Sequence, residues 1–490
     1  MQKISIDPIT RLEGHGRIDI FLDDGGDVAN AYLVVPELRG FEKFCEGRPV
    51  EELPRITPRI CGVCPEAHHI ASAKACDAVY HVEVPPAGRK LREVLYSAFY
   101  VADHTVHFYI LAAPDFVLGP DASPAERNIL GLIHKVGVET GGTVIKCRGM
   151  AMDIVGMLGG KTIHPVGALP GGVSKAIDEE ERAQIEAWAH ELVEFGQFGL
   201  QLFHDVVLEN EGYVDLILSD TFTTPMYYMG LVDEQNQVNF YDGKVRVVDP
   251  EGNEFVKYSP EEYLDVVAEH VEPWTYLKFP FLKDVGWKGF VSGTDSGVYQ
   301  ATPLSRLNAA DGMATPRAQA AYEQFYETMG GKPVHSTLAT HWARLIELLY
   351  AAERLLELAT DPEITDPHVR NIPTETPDEG VGIVEAPRGT LTHHYITDER
   401  GIIQKCNLIV GTTNNYAPMS ISIKKAAQAF IKGGQVTEGL LNRVEMAFRS
   451  YDPCLGCATH TLPGQMPLEV RIRDAEGNVV DVLQQHIEAG

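Results

Sequence analysis

Four cysteines stand in two Cys-x-x-Cys pairs, one near each end of the chain: Cys61 and Cys64 in RICGVCPEAHH, and Cys454 and Cys457 in DPCLGCATH. Two thiolates separated by two residues can turn to face one metal ion, and four complete a tetrahedral shell. Soft thiolates select zinc, iron–sulfur clusters or other soft-binding transition metals. Structural zinc sites commonly serve small modules whose pairs lie close together, whereas here almost the whole chain separates the pairs. A metal clamped between two distant ends suits a functional centre, but spacing alone leaves that reading and a structural zinc site both open. The other four cysteines, Cys45, Cys76, Cys147 and Cys406, read as small buried hydrophobes, since eight in 490 residues are too sparse for a disulfide scaffold.

The elements that must position these pairs are mostly helices. Apolar residues recur at three- and four-residue spacing over 66–80, 87–113, about 177–211 and about 336–360, with Pro114 predicted to end the second run. Two further helices are predicted at about 420–432 and 436–450. Strand patterns are fewer. GRIDIFLDD and DVANAYLVV flank Asp24-Gly25-Gly26 as a hairpin, and TLTHHYITDERGIIQKCNLIV reads as a second. Residues 238–258 read as a small β insertion, 361–380 as a surface loop, and 461–490 as a tail with two strands around Asp474–Asn478. Helices and strands do not alternate regularly, so a doubly wound parallel sheet is not expected. The expected class is mainly α with β-hairpins (α+β), a helical bundle core with peripheral β segments.

Composition narrows the function. A hydrophobic fraction of 44% permits a sizeable core, and a formal net charge of −28 disfavours nucleic-acid binding. No apolar run approaches the roughly 20 residues that span a bilayer. MQKISIDPIT lacks the basic and apolar regions of an export signal and any twin-arginine pair, which places the chain in the cytoplasm.

The ordered motifs resemble the large subunit of nickel–iron hydrogenases. That family carries an early RxCGxCxxxH and a late DPCxxCxxH, and both stand here complete. TRLEGHGRI (10–18), RGFEKFCEGRP (39–49), HFYILAAPDF (107–116), EAPRGTLTHHY (385–395) and TTNN (412–415) agree with it. The resemblance implies one large-subunit domain over 1–460. It implies nickel on Cys61, Cys64, Cys454 and Cys457, and iron sharing Cys64 and Cys457 while carrying carbon monoxide and two cyanides. Glu13 would be the proton gate beside a nickel-bound thiolate, since splitting dihydrogen leaves a proton that needs a base. Arg388 would lie over the open side of the metals, with Asp115 and Asp452 holding it; Asp452 can also be read as a turn residue before Pro453. Pro387 and Thr412 would line the cofactor, Thr412 donating to a cyanide, although Gly411 stands where many members have proline. His68 would donate to a bridging thiolate, while His69 reads as an ordinary core histidine. Magnesium would be held by Glu42, the Leu408 carbonyl and His460.

The same resemblance implies partners. No cysteines remain for iron–sulfur clusters, so an iron–sulfur small subunit is expected, together with further electron-transfer subunits. A maturation protease would remove 461–490 after His460. The sequence is similar to the cytoplasmic branch that serves soluble carriers, nearest the viologen-reducing, deazaflavin-independent type, with the nicotinamide-linked type close behind. Two rivals remain. One is a zinc-bound structural subunit, with the cysteine-free quinone-site subunit of respiratory complex I as its cousin. The other is a dihydrogen sensor.

Overall fold

A computed structural model of the chain describes residues 2–457 and the backbone of 469–473 and 479–484. At its centre runs the helix Thr340–Ala359, buried on almost every face and packed against Glu179–Phe203, Pro86–Thr105 and Pro316–Met329. Pro86–Thr105 in turn packs on Val138–Gly159, a helix whose many glycines blur its periodicity in the sequence. The N-terminal hairpin forms as predicted, Arg17–Leu22 against Val28–Val34, with Gln2–Ile6 as a third antiparallel strand. Helices Tyr416–Phe430 and Glu438–Arg449 fill the C-terminal part, close to the expected bounds.

The helix predicted to end at Pro114 does not end there. After Thr105 the chain continues as a π-helical segment, Val106–Ala112, and then as Ala113–Val117. Pro114 lies in the first turn of that last piece, where its missing N–H leaves no hydrogen bond unmade. The run predicted at 177–211 divides in the same way. Glu179–Phe203, opened by an Asp178–Glu181 capping box, passes into π-helical His204–Leu208 before the separate helix Glu211–Leu218.

The β structure is larger and more central than expected. The insertion is a six-stranded sheet built on Tyr227–Val232, Lys244–Val248 and Glu254–Tyr258, with short strands from 237–238, 299–300 and 312–313. The second hairpin, Gly389–Thr397 with Ile403–Ile409, gains a third strand, Glu379–Ala386. This sheet is not peripheral. Its first two strands are almost wholly buried and pack on the helix Pro65–Val79 that follows the first cysteine pair. A strand buried on both faces reads as an apolar run without alternation, so it carries no periodic mark. Tail strands Glu469–Arg473 and Val479–Gln484 pair antiparallel; the turn predicted between them lies outside the described residues.

Candidate metal centre

The two ends of the chain meet at the cysteines. Cys61 leaves the short helical turns 53–60 in an extended conformation, and Cys64 caps the helix Pro65–Val79, with Pro65 as its first residue. The intervening loop folds around Cys61 Sγ, which accepts N–H bonds from Val63 (3.2 Å) and Cys64 (3.0 Å). From the other end, Cys454 Sγ lies 3.4 Å from Cys61 Sγ, and Cys457 Sγ lies 3.8 Å from Cys64 Sγ. Cys61 and Cys64 Sγ are 3.1 Å apart, while Cys454 and Cys457 are joined as a disulfide. Taken as thiolates, all four sulfurs lie within 4.8 Å of one another, and none of the four residues is more than 4% exposed. The hydrogen bond to Cys61, together with burial, holds the Cys64 thiol well above its ordinary value. Four ionised sulfurs at this depth require a cation among them. The donor set therefore fits a soft metal centre.

The segment carrying Glu13 is stitched to the second pair. Glu13 and Cys454 form an isolated parallel bridge, with Leu455 N–H donating to the Glu13 carbonyl at 3.0 Å. The Glu13 carboxylate lies 3.0 Å from Cys454 Sγ and accepts the Gly456 N–H at 2.9 Å. Burial raises its pKa, opposed by the Gly456 N–H and by Arg388. Gly14 has φ +82, and a Cβ there would stand 2.6 Å from Gly456 N, so the close approach of the two segments requires glycine.

Arg388 projects from the tight turn between the two buried strands. Gly389 beyond it has φ +149, and a Cβ there would meet the Gly411 carbonyl oxygen at 2.4 Å. The Arg388 guanidinium donates to Asp103 at 2.9 Å and lies 3.0 Å from Asp452 Oδ2, an ion-pair distance without hydrogen-bond geometry. Asp452 has φ 54, a left-handed conformation that Asp tolerates better than most residues. The Thr412 hydroxyl accepts the Cys454 N–H at 3.2 Å, which leaves its own proton free to donate. The Pro387 carbonyl is taken by Arg306 at 3.1 Å.

Known proteins are similar to this chain. A family model described as nickel-dependent hydrogenase matches residues 39–136 and 122–460, and one described as HoxL-like matches 3–38. The chain is 52% identical over 485 residues to an iron-sulfur subunit of the F420-non-reducing hydrogenase of Archaeoglobus profundus, covering 99% of this chain and 100% of that one. It is 38% identical over 497 residues to the beta subunit of the NAD-reducing hydrogenase HoxS of Cupriavidus necator, covering 98% and 99%. A crystal structure of an NAD+-reducing [NiFe]-hydrogenase in the H2-reduced state superposes with a TM-score of 0.88 at 38% identity, covering 94% of this chain and all of that one. The chain belongs to the nickel-dependent hydrogenase family. It is a large, catalytic subunit of that family, an oxidoreductase acting on dihydrogen.

Within the hydrogenase chain, one expected partner is corrected. Asp115 does not hold Arg388. Its carboxylate takes Arg11, Arg449 at 2.6 Å and the Asn442 amide at 3.1 Å. Burial alone would raise its pKa, but Arg449 and Arg11 hold it below the ordinary carboxylate value. Asp103, which sequence reasoning misses, takes the expected place. The roles are separable: Asp115→Asn should cost about 3–5 kcal/mol of stability by leaving buried arginine charge unpaired. A lowered urea midpoint in protein that still binds nickel is the expected result.

His68 is fully buried, and desolvation lowers its pKa to about 3. Its Nδ1 lies 3.1 Å from His393 Nε2, and His393 Nδ1 lies 2.6 Å from the Tyr395 hydroxyl, itself 2.8 Å from the Ser72 hydroxyl. His68 Nε2 has no hydrogen-bond partner among the described residues. His69 is the core histidine expected. Its Nε2 accepts the Ala168 N–H at 2.8 Å, so Nδ1 carries the proton that bonds the Pro54 carbonyl at 2.6 Å.

At the expected magnesium corner Glu42 is buried, and desolvation raises its pKa to about 7. It accepts the Leu408 N–H at 2.9 Å and lies 3.2 Å from Lys278 Nζ, which also reaches Glu269 at 3.3 Å. The contact seen from Leu408 is thus its N–H, and Lys278 is a cation that no motif reveals. His460 lies outside the described residues. The hard carboxylate oxygens of Glu42 and Glu269 fit a divalent ion, with Lys278 as a competing charge.

Proposed function

We propose that this protein holds nickel on Cys61, Cys64, Cys454 and Cys457, and iron on Cys64 and Cys457 with one carbonyl and two cyanide ligands. The observation that carries the reading is the gathering of four buried sulfurs from both ends of the chain, with Glu13 in contact with one of them. When bound, that group supplies heterolytic splitting of dihydrogen into hydride and proton. The chain's own residues do the rest. Glu13 receives the proton from Cys454 Sγ and passes it outward along a segment that is only half buried. Arg388, fixed by Asp103 and Asp452, presents a rigid donor fork to the open side. Thr412 donates toward one cyanide, Pro387 lines the same wall, and His68 offers Nε2 to a bridging sulfur. Glu42, the Leu408 carbonyl and His460 would hold magnesium, a hard ion suited to such oxygen donors.

Electrons leave through an iron–sulfur partner. A pocket of about 530 Å³ lined by Arg39, Phe41, Phe44, Arg55, Arg59 and Lys161 offers apolar surface and positive charge on an otherwise acidic chain. It connects inward: Arg59 contacts His164 at 3.2 Å, and His164 Nε2 lies 3.0 Å from the Cys61 carbonyl. The names of the relatives, each one subunit of a hydrogenase, support a heteromeric complex. Further subunits pass the electrons to a soluble carrier in the cytoplasm. No described helix is long and apolar enough to cross a membrane.

The test is dihydrogen-dependent viologen reduction by the purified complex, with metal analysis. Turnover with one nickel per large subunit supports the reading, and an inactive complex holding one zinc opposes it. A maturation protease is expected to remove 461–490 from the single domain 1–460. Intact-mass measurement of nickel-loaded protein should then find a chain ending at His460; a nickel-loaded, active chain of 490 residues would refute the processing step.

A further inference from the structure

Behind Arg388 lies a second layer of buried charge that the reaction described so far does not use. Arg388 is one guanidinium between two buried carboxylates, Asp103 at 2.9 Å and Asp452 at 3.0 Å. The other oxygen of Asp452 is 2.8 Å from His107 Nδ1. His107 stacks on His341 with ring centroids 5.6 Å apart, and Arg344 stands three residues after His341 on the same helix. Arg344 is 0% exposed. It makes one hydrogen bond, to the Ser450 carbonyl at 3.3 Å, while its Nε and Nη1 have no partner among the described residues. Ser450 is two residues from Asp452, so Arg344 is held against the segment that carries that carboxylate. The neighbouring buried arginine, Arg306, differs in being fully engaged, with Glu347 at 2.6 and 2.7 Å and Glu385 at 3.1 Å.

A buried guanidinium without a contacting carboxylate is costly, and it persists only where the surrounding charge compensates it. Burial lowers the Arg344 pKa to about 10, and Asp452 is the main group opposing that shift. His107 and His341 are held well below their ordinary values by burial, so they contribute no positive charge. With Arg344 included the charges balance: two carboxylates, Asp103 and Asp452, and two guanidiniums, Arg388 and Arg344.

We propose that Arg344 is a positioning residue for the hydrogenase reaction: it is the counter-charge that lets Asp103 and Asp452 share Arg388, and with His107 it fixes the direction in which Arg388 presents its guanidinium. This rests on reading the four sulfurs as the nickel–iron site. Arg344 touches neither substrate nor metal; it acts through Asp452 and Arg388.

The test uses the intact complex with Arg344→Met, Arg344→Lys, Asp452→Asn and the double variant Arg344→Met/Asp452→Asn. Arg344→Met should lower kcat at least about tenfold with little change in KM for dihydrogen, as for loss of an interaction made in the transition state. Nickel content should stay normal, and the infrared bands of metal-bound carbonyl and cyanide should persist but shift in position. Arg344→Lys, which keeps the charge, should stay within about threefold of wild type. The double variant should be little worse than Asp452→Asn alone, because both changes act on one unit. Unshifted bands with wild-type kcat in Arg344→Met, or additive losses in the double variant, would overturn the proposal. If Arg344→Met fails to load nickel, Arg344→Lys decides: near-normal turnover upholds the charge argument, and a loss as deep as that of Asp452→Asn ends it. Wild-type complex without nickel or without those infrared bands would instead defeat the underlying reading, so the two failures are distinguishable.

Discussion

Replacing Cys454 by serine should cut nickel retention by more than about a hundredfold, beyond the 10–100-fold that loss of an outer-sphere partner costs. Serine offers a hard hydroxyl where a soft thiolate is needed, and it does not ionise near neutral pH. Cys454 is 1% exposed and faces Cys61 Sγ at 3.4 Å, so no water or neighbouring sulfur from solvent can take its place. Cys147→Ser is the control. Cys147 is also buried, but it lies on the helix Val138–Gly159, outside the set of four sulfurs. It should leave nickel unchanged. Metal analysis of both purified variants checks the pair, and full nickel in Cys454→Ser would mean the centre is held otherwise.

Glu13→Gln should retain nickel and yet lose about 10²–10⁴-fold in turnover, the range for removing a general base. Glu13 is the carboxylate in contact with Cys454 Sγ, at 3.0 Å, and the adjacent Gly456 N–H fixes its orientation. Glutamine keeps the shape and can accept the same N–H, but it cannot take up a proton. Glu13→Asp, one methylene shorter, should fall between the two. Hydrogen–deuterium exchange and viologen reduction measured on the same samples separate proton transfer from electron transfer. Undiminished exchange in Glu13→Gln would show that protons leave Cys454 by another route.

The cysteine pairs are legible from their spacing, whereas Glu13, Arg388, Asp452 and Thr412 are singled out only by motifs that resemble a known family; the structure brings all of them to one place. What stays hidden concerns long-range placement. Asp103 reads as one polar residue in an apolar helical run, FYVADHTVHF, and nothing local marks it as the partner of Arg388. Asp115 competes for that place in the sequence because it follows the same run. It lies roughly three helical turns further on, past a π-helical segment that shifts the helix face, and there it meets Arg11 and Arg449. A proline inside a periodic run is usually an end, and only the π segment lets this one begin a new turn instead. The hairpin predicted at 390–410 reads as a peripheral one, and the strand before it is not predicted at all. In the fold Glu379–Ala386 pairs beside it as a third strand, Arg388 stands in the turn that joins the two, and the helix Pro65–Val79 packs on both strands. Lys278 beside Glu42 and Arg344 behind Asp452 are invisible for the same reason: their partners are distant in sequence and carry no shared motif.

The central claim is that the four sulfurs hold a nickel–iron group with diatomic ligands. Infrared spectroscopy of the purified complex tests it most directly, because metal-bound carbonyl and cyanide absorb in a window where protein does not. The account predicts one carbonyl band and two cyanide bands, lost in Cys454→Ser and retained in Glu13→Gln. A complex without those bands and with one zinc per large subunit would contradict it.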